Sequence, residues 1–187
     1  MVPGGPIPLT TRQAGIAAAA VLAVALAVSL LLPGAAALQA RSTVPPGAVV
    51  VGRVSFLPAD GWVVVRSAPD AVLIARAGTQ LLVSYQPSAA ELDPVTTLRT
   101  LERQLAQEEG QTRAVGGVRT FQTVTGERGY LQAYASPGTT GALGVVPVQE
   151  PDAAVLIRAA GPATSFSPLS GEVAEMITGL RLRAGGA

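Results

Sequence analysis

Apolar and polar positions follow three different rhythms along the chain. No charge occurs between Arg12 and Arg41, and Ala14 to Leu32 (AGIAAAAVLAVALAVSLLL) is almost wholly apolar. A 19-residue helix of this kind spans about 28 Å, close to the ~30 Å hydrocarbon core of a bilayer. Ile16, Val21, Leu22, Val24, Leu26, Val28, Leu30, Leu31 and Leu32 drive insertion; at roughly −0.3 to −0.6 kcal/mol each they supply about −3 to −5 kcal/mol. Pro33-Gly34 breaks the helix at the far interface. Two readings fit the run. It is an uncleaved signal-anchor, or a secretory signal peptide cut near Ala35-Ala36-Ala37 or after Ala40. The apolar core exceeds the usual 7–15 residues of a signal peptide, which favours the anchor. The flanking charges, Arg12 and the α-amine against Arg41 and Arg53, are nearly balanced. The short tail, with only Arg12 and the α-amine charged, followed by a domain-sized segment, leads us to expect the N-terminus inside and the C-terminal domain outside the cytoplasm.

After the run the rhythm shortens to two, then alternates with three-to-four. Residues 1–13 form a Pro- and Gly-rich tail, 14–38 a transmembrane helix, 39–47 a Pro-rich linker, 48–183 an extracytoplasmic domain and 184–187 a frayed end. Nine linker residues in polyproline geometry reach at most ~28 Å. The β-branched run Ala48–Phe56 predicts a strand. Turn chemistry at Leu57–Gly61 and at Ser67–Asp70 separates further strands at Trp62–Arg66, Ala71–Arg76 and Gln80–Gln86. Asp93-Pro94 predicts a helix start, as cap and first-turn proline. Val95, Leu98, Leu101 and Leu105 give that helix one apolar face, and Gly110 ends it. Strands follow at Gly117–Thr125, Gly129–Ala135, Ala142–Val148 and Ala153–Ala160. Ser167-Pro168 predicts the start of a last helix with Val173, Met176, Ile177 and Leu180 inward and Arg181 and Arg183 at its C-terminal end. The expected fold class is α+β: a mostly antiparallel sheet of six to eight strands, two covering helices and one N-terminal transmembrane helix.

Composition narrows the function. The chain contains no Cys, His, Lys or Asn, and all 13 basic residues are arginine. That usage, rich in Ala, Gly, Pro and Val, points to a high-GC bacterial genome. From Arg41 onward 12 arginines meet 12 acids, so the domain has no electrostatic footprint for nucleic acid. Without His, Cys or Lys, the Ser-His-Asp, Cys-His and Ser-Lys devices and ordinary zinc sites are out of reach. No P-loop, G-x-G-x-x-G or G-x-S-x-G is present. No enzyme, cofactor or metal is expected. Glu108 and Glu109, as adjacent helical residues, point different ways and read as a solvated helix end. Glu150-Pro151-Asp152 lacks the alternating pattern of a calcium loop and reads as a hairpin turn.

The residues that could touch a ligand or partner are Trp62, Tyr130, Tyr134, Arg99 and Arg103. Trp62, the sole tryptophan, suits core packing with its N–H on a partner, or stacking on a ligand. Tyr130 and Tyr134 share one strand face, fitting core or groove. Arg99 and Arg103, with Arg113 and Arg119 beyond, form the local basic excess. It suits anionic headgroups or an acidic partner, or a solvated face paired with Glu102 and Glu108.

The order of elements, together with Val54-Ser55-Phe56-Leu57-Pro58-Ala59-Asp60-Gly61-Trp62, resembles the PsbP-like superfamily of α/β/α sandwiches over Val49 to Leu182. Gly129–Tyr134 resembles that family's glycine-led strand, Ala142–Ala160 its paired hairpin and Ser167–Arg181 its terminal helix. The resemblance implies a mostly non-enzymatic domain that works by assembly or partner binding, in a group that includes domains associated with secretion machinery of high-GC Gram-positive bacteria. It transfers no functional residues. The function expected is thus a membrane-tethered, non-catalytic domain that binds a protein partner. The alternatives are a small-ligand or lipid-binding module with its pocket between sheet and helices, or a secreted protein after signal cleavage.

Overall fold

A computed structural model describes residues 47–87, 93–148 and 153–183. The N-terminal tail, the membrane run Ala14–Leu32, residues 39–46 of the linker, the turn 149–152 and the end 184–187 lie outside the described residues. Among the described residues no helix is long and apolar enough to cross a membrane.

The elements run β1 (Val49–Val51), β2 (Val54–Phe56), β3 (Val63–Ala68), β4 (Ala71–Arg76), β5 (Thr79–Pro87), α1 (Pro94–Glu109), β6 (Arg113–Gln122), β7 (Arg128–Ser136), β8 (Thr139–Val148), β9 (Ala153–Gly161), α2 (Ala163–Thr178) and β10 (Arg181–Leu182). Seven strands form one antiparallel sheet in the order β3-β4-β5-β9-β8-β7-β6, and β1-β2-β10 form a second. The class is α+β; the large sheet has seven strands, within the six to eight expected, and the second, three-stranded sheet brings the described residues to ten.

Strand β9 is the pivot. Ala153, Val155, Ile157 and Ala159 face one side of the large sheet, where they join Val72, Ile74, Leu81, Val83, Val146 and the stripe of α2, Leu169, Val173, Met176 and Ile177. Ala154 and Leu156 face the other side, with Leu143, Val145, Tyr134 and the α1 residues Leu98 and Leu105. The small sheet closes the α2 side through Val51, Val54 and Phe56. Two helices therefore lie on opposite faces, α1 against β6, β7 and β8 and α2 against β5, β8 and β9.

Helix α1 follows the sequence. Asp93 Oδ2 accepts from the Thr96 amide at 2.8 Å, Pro94 opens the first turn and Gly110 closes the helix. Three expectations need correction. The strand Ala48–Phe56 is a hairpin, β1 and β2, turning at Gly52, whose φ is +54°. A Cβ there would lie 2.6 Å from Cδ1 of Tyr85, so only glycine passes beneath that ring. Helix α2 starts at Ala163, not at Ser167-Pro168, and carries Pro168 inside it. An interior proline costs about 3 kcal/mol; the turn added before it brings Phe166 against the core, and the Ser165 and Phe166 amides bond to the Pro162 carbonyl. Arg181 and Arg183 do not close α2. The chain turns out at Gly179, and Arg181–Leu182 pairs with Val54 and Ser55 as β10.

Candidate functional site

The first constellation ties the β2–β3 connection to α2. Trp62, 7% exposed, donates its indole N–H to Glu172 Oε2 at 2.8 Å. Arg76 Nη1 reaches both carboxylate oxygens, at 2.8 and 2.6 Å, and the Asp60 carbonyl at 2.8 Å. The Trp62 hydrogen bond, and after it the hydrogen bond and charge of Arg76, hold Glu172 below the usual carboxylate range against the opposing effect of burial. The indole is packed and its donor is satisfied, so this is a latch that closes a hairpin onto a helix.

The second lies under α1. Tyr134 is fully buried over Gly141, where a Cβ would come within 2.8 Å of the ring and 2.1 Å of the Ala159 carbonyl oxygen. Its hydroxyl is buried with no hydrogen-bond partner. Burial pushes its pKa up, and the neighbouring Arg158 guanidinium partly offsets this. Arg158, on β9, pairs with Glu109 and lies 3.5 Å from Glu108, while Ser136 Oγ donates to Glu109 Oε2 at 2.8 Å. Glu108 and Glu109 thus do not point apart into solvent. Their side chains are long enough, on the last turn of α1, to converge on one guanidinium. Tyr130, half-buried, packs against the same cluster.

The third is the outer face of α1. Arg99 and Arg103 are exposed. The acids expected to pair with them are used elsewhere: Glu102 Oε1 accepts the edge-strand amide of Ala114 at 2.8 Å, and Glu108 faces Arg158. Arg103 binds along its own helix, to the Arg99 carbonyl and the Thr100 hydroxyl. Neither arginine makes an ion pair among the described residues. Arg113 and Arg119 do not join them. They pair with Ala135 and Leu131, which puts them on the sheet face away from α1, because Tyr134 and Tyr130, facing α1, alternate with those positions.

A fourth feature, a half-open groove of about 270 Å³, is lined by Ala48, Ser55–Ala59, Val124, Glu175, Met176, Gly179 and Arg181. It lies at the C-terminal end of α2, where the turn after β6 is bonded by the Val124 amide to the Thr178 carbonyl at 2.9 Å. Neither Trp62 nor Tyr130 lines it. No grouping of three or more acids able to hold a metal ion occurs among the described residues.

Sequence reasoning found Trp62 and its need for a partner but missed Glu172, 110 residues away. It also missed Arg158. A signal was present there: one arginine in the otherwise apolar AAVLIRAAG strand calls for either a polar partner or a path to solvent, although nothing in the sequence names which.

No family model and no curated protein matches the chain. Solved structures do. The solution structure of cyanobacterial PsbP, CyanoP, from Synechocystis sp. PCC 6803 matches with a TM-score of 0.56 and 9% identity, over 78% of this chain and 99% of that one. The fold is PsbP-like. The Ran-binding protein Mog1p of Saccharomyces cerevisiae is also similar, at a TM-score of 0.48 and 10% identity, over 70% of this chain and 90% of that one. The PsbP-like architecture agrees with the likeness drawn from the Pro-x-x-Gly-Trp segment and the order of elements.

Proposed function

We propose that this PsbP-like domain is held at the extracytoplasmic face of a membrane by Ala14–Leu32 and works without catalysis, binding an acidic surface of a protein partner through Arg99 and Arg103. The observation that carries the reading is the commitment of Glu102 and Glu108 to other groups. It leaves two arginines four residues apart on one exposed helix face. Like charges at that spacing cost about 0.2–0.5 kcal/mol, an expense that an external anionic surface removes. Arginine also gives a carboxylate two parallel hydrogen bonds. Trp62 and Tyr134, by contrast, are packed inward, so Arg99 and Arg103 are the outward members of the candidate set.

The test is capture by crosslinking from membranes of cells carrying the full chain. Arg99→Glu with Arg103→Glu should reduce recovery of the partner about tenfold or more. The fold should be unaffected, since exposed substitutions of this kind change stability by about 0.5 kcal/mol or less. Recovery that is unchanged by the double substitution, or a domain that recovers no partner and turns over a substrate, would overturn the reading. Mass spectrometry of the mature N-terminus separates the retained anchor from a cleaved signal, and protease shaving of intact cells tests the orientation.

A further inference from the structure

The groove beside α2 has a rim that is apolar and exposed. Leu57 is 49% and Val124 57% exposed, both in its lining. Val50, 38% exposed, stands in register with Ser55, which stands in register with Arg181. A buried wall of Phe56 and Met176 backs these residues. Arg181 projects from β10 beside them. Arg53 and Arg183 flank the same small sheet, Arg53 donating to the Arg183 carbonyl at 3.2 Å. Glu175 is the one acid in the lining. Exposed apolar side chains with the Arg181 guanidinium beside them match the interface of an anionic bilayer, where the apolar groups enter the acyl boundary and the cation meets phosphate.

The entry of the chain points to the same occupant. Ala48 is part of the lining, so the polypeptide arrives from its N-terminal segment at the groove itself. Fifteen residues, 33–47, separate Ala48 from Leu32, the end of the apolar run read from the sequence, and they reach no further than about 54 Å in any conformation. A contact too weak to recruit a free protein becomes populated when the surface is held that close.

We infer that the groove rimmed by Leu57 and Val124, with Arg181 beside it, docks onto the anionic phospholipid surface of the membrane. The inference rests on the tether proposed above. Docking of this side leaves α1, on the other face of the large sheet, clear of the lipid.

The chain lacks cysteine, so single labels can be placed at will. The experiment uses the full chain reconstituted into vesicles of phosphatidylcholine with phosphatidylglycerol, and into phosphatidylcholine alone. A polarity-sensitive dye is carried at Leu57→Cys, Val124→Cys or, as control, Gln107→Cys near the end of α1. In anionic vesicles a lipid-borne quencher should quench the dyes at 57 and 124 and not the dye at 107. Leu57→Asp with Arg181→Glu should lower the docked fraction, read from a dye at 124, about tenfold, while the protein still floats with the vesicles. Flotation with equal quenching at all three positions overturns the groove and leaves the tether standing. Failure to float overturns the tether and the inference together. Equal quenching at 57 and 124 in phosphatidylcholine alone overturns the part assigned to Arg181.

Discussion

Glu172 takes donors from two residues that lie far from it in the sequence and next to each other in space. The Trp62 indole and the Arg76 guanidinium both depress its pKa below the ordinary 4.5. The stabilisation this represents is fully present above that ordinary value and is lost as pH falls through the depressed one. Glu172→Gln is therefore expected to be less stable than the parent at pH 7, with the difference shrinking below about pH 4.5. Denaturant midpoints followed by circular dichroism between pH 7 and pH 3 check this, and a difference that stays constant would exclude the latch. Trp62→Phe removes the donor and part of a buried ring, at a cost of about 1–3 kcal/mol at neutral pH. At this scale the sequence was half legible. A lone tryptophan after a Pro-x-x-Gly turn announces a packed ring that needs an acceptor. The acceptor lies on a helix contributed by the last fifth of the chain, and pairing at that separation leaves no local trace. Arg158 repeats the lesson, since its place in an apolar strand marks it as unusual, and Glu109 becomes its partner only once α1 crosses the sheet.

Among the elements, those with their own start and stop chemistry are the ones the sequence places correctly. Helix α1 has Asp93, Pro94 and Gly110, and its bounds match. The Asp93 carboxyl is held below its ordinary value first by the Thr96 hydroxyl and then by the Thr96 amide. Asp93→Ala should lower the Tm by a few degrees and Asp93→Asn by much less, because asparagine retains the capping oxygen. Equal losses in thermal unfolding would show that the charge matters and the cap does not. The same reasoning failed for α2. Ser167-Pro168 has the same signature, yet the helix begins four residues earlier, where Phe166 packs against the core and the Pro162 carbonyl takes the Ser165 and Phe166 amides. Local signals could not weigh that packing. The β1–β2 hairpin was hidden for the opposite reason. A single glycine within AVVVGRVSF is consistent with a strand until Tyr85, from β5, is seen to occupy the space above Gly52.

At the largest scale, the described residues build two apolar clusters on opposite faces of one sheet. The α2 cluster contains Trp62, and the α1 cluster contains Tyr134 and Tyr130. Strand β9 supplies both, through Val155 and Ile157 on one side and Ala154 and Leu156 on the other, and β8 does the same through Val146 and Val145. Losing the α2 cluster would expose one side of β9 and strand the other, and the reverse holds equally. The central pairs β5–β9 and β8–β9 extend over eight and nine residues, so the strands cannot release one cluster and hold the second. The two faces should therefore unfold as one cooperative unit. Tryptophan fluorescence reports the α2 face alone, since Trp62 is the only indole. Hydrogen exchange at the Leu98, Leu105 and Tyr134 amides reports the α1 face. In urea the two should share one midpoint, and the slowest-exchanging amides should lie in β5, β8 and β9 and report the same global free energy from both sides. Separate midpoints, or an α1 face that exchanges freely while Trp62 remains buried, would mean that α1 is a detachable layer. In that event Arg99 and Arg103 would be presented by a mobile helix. If the midpoints coincide, Arg99 and Arg103 belong to the same cooperative unit as the groove on the α2 side, and the partner and the bilayer proposed above would meet one folded body rather than a core and a detachable layer.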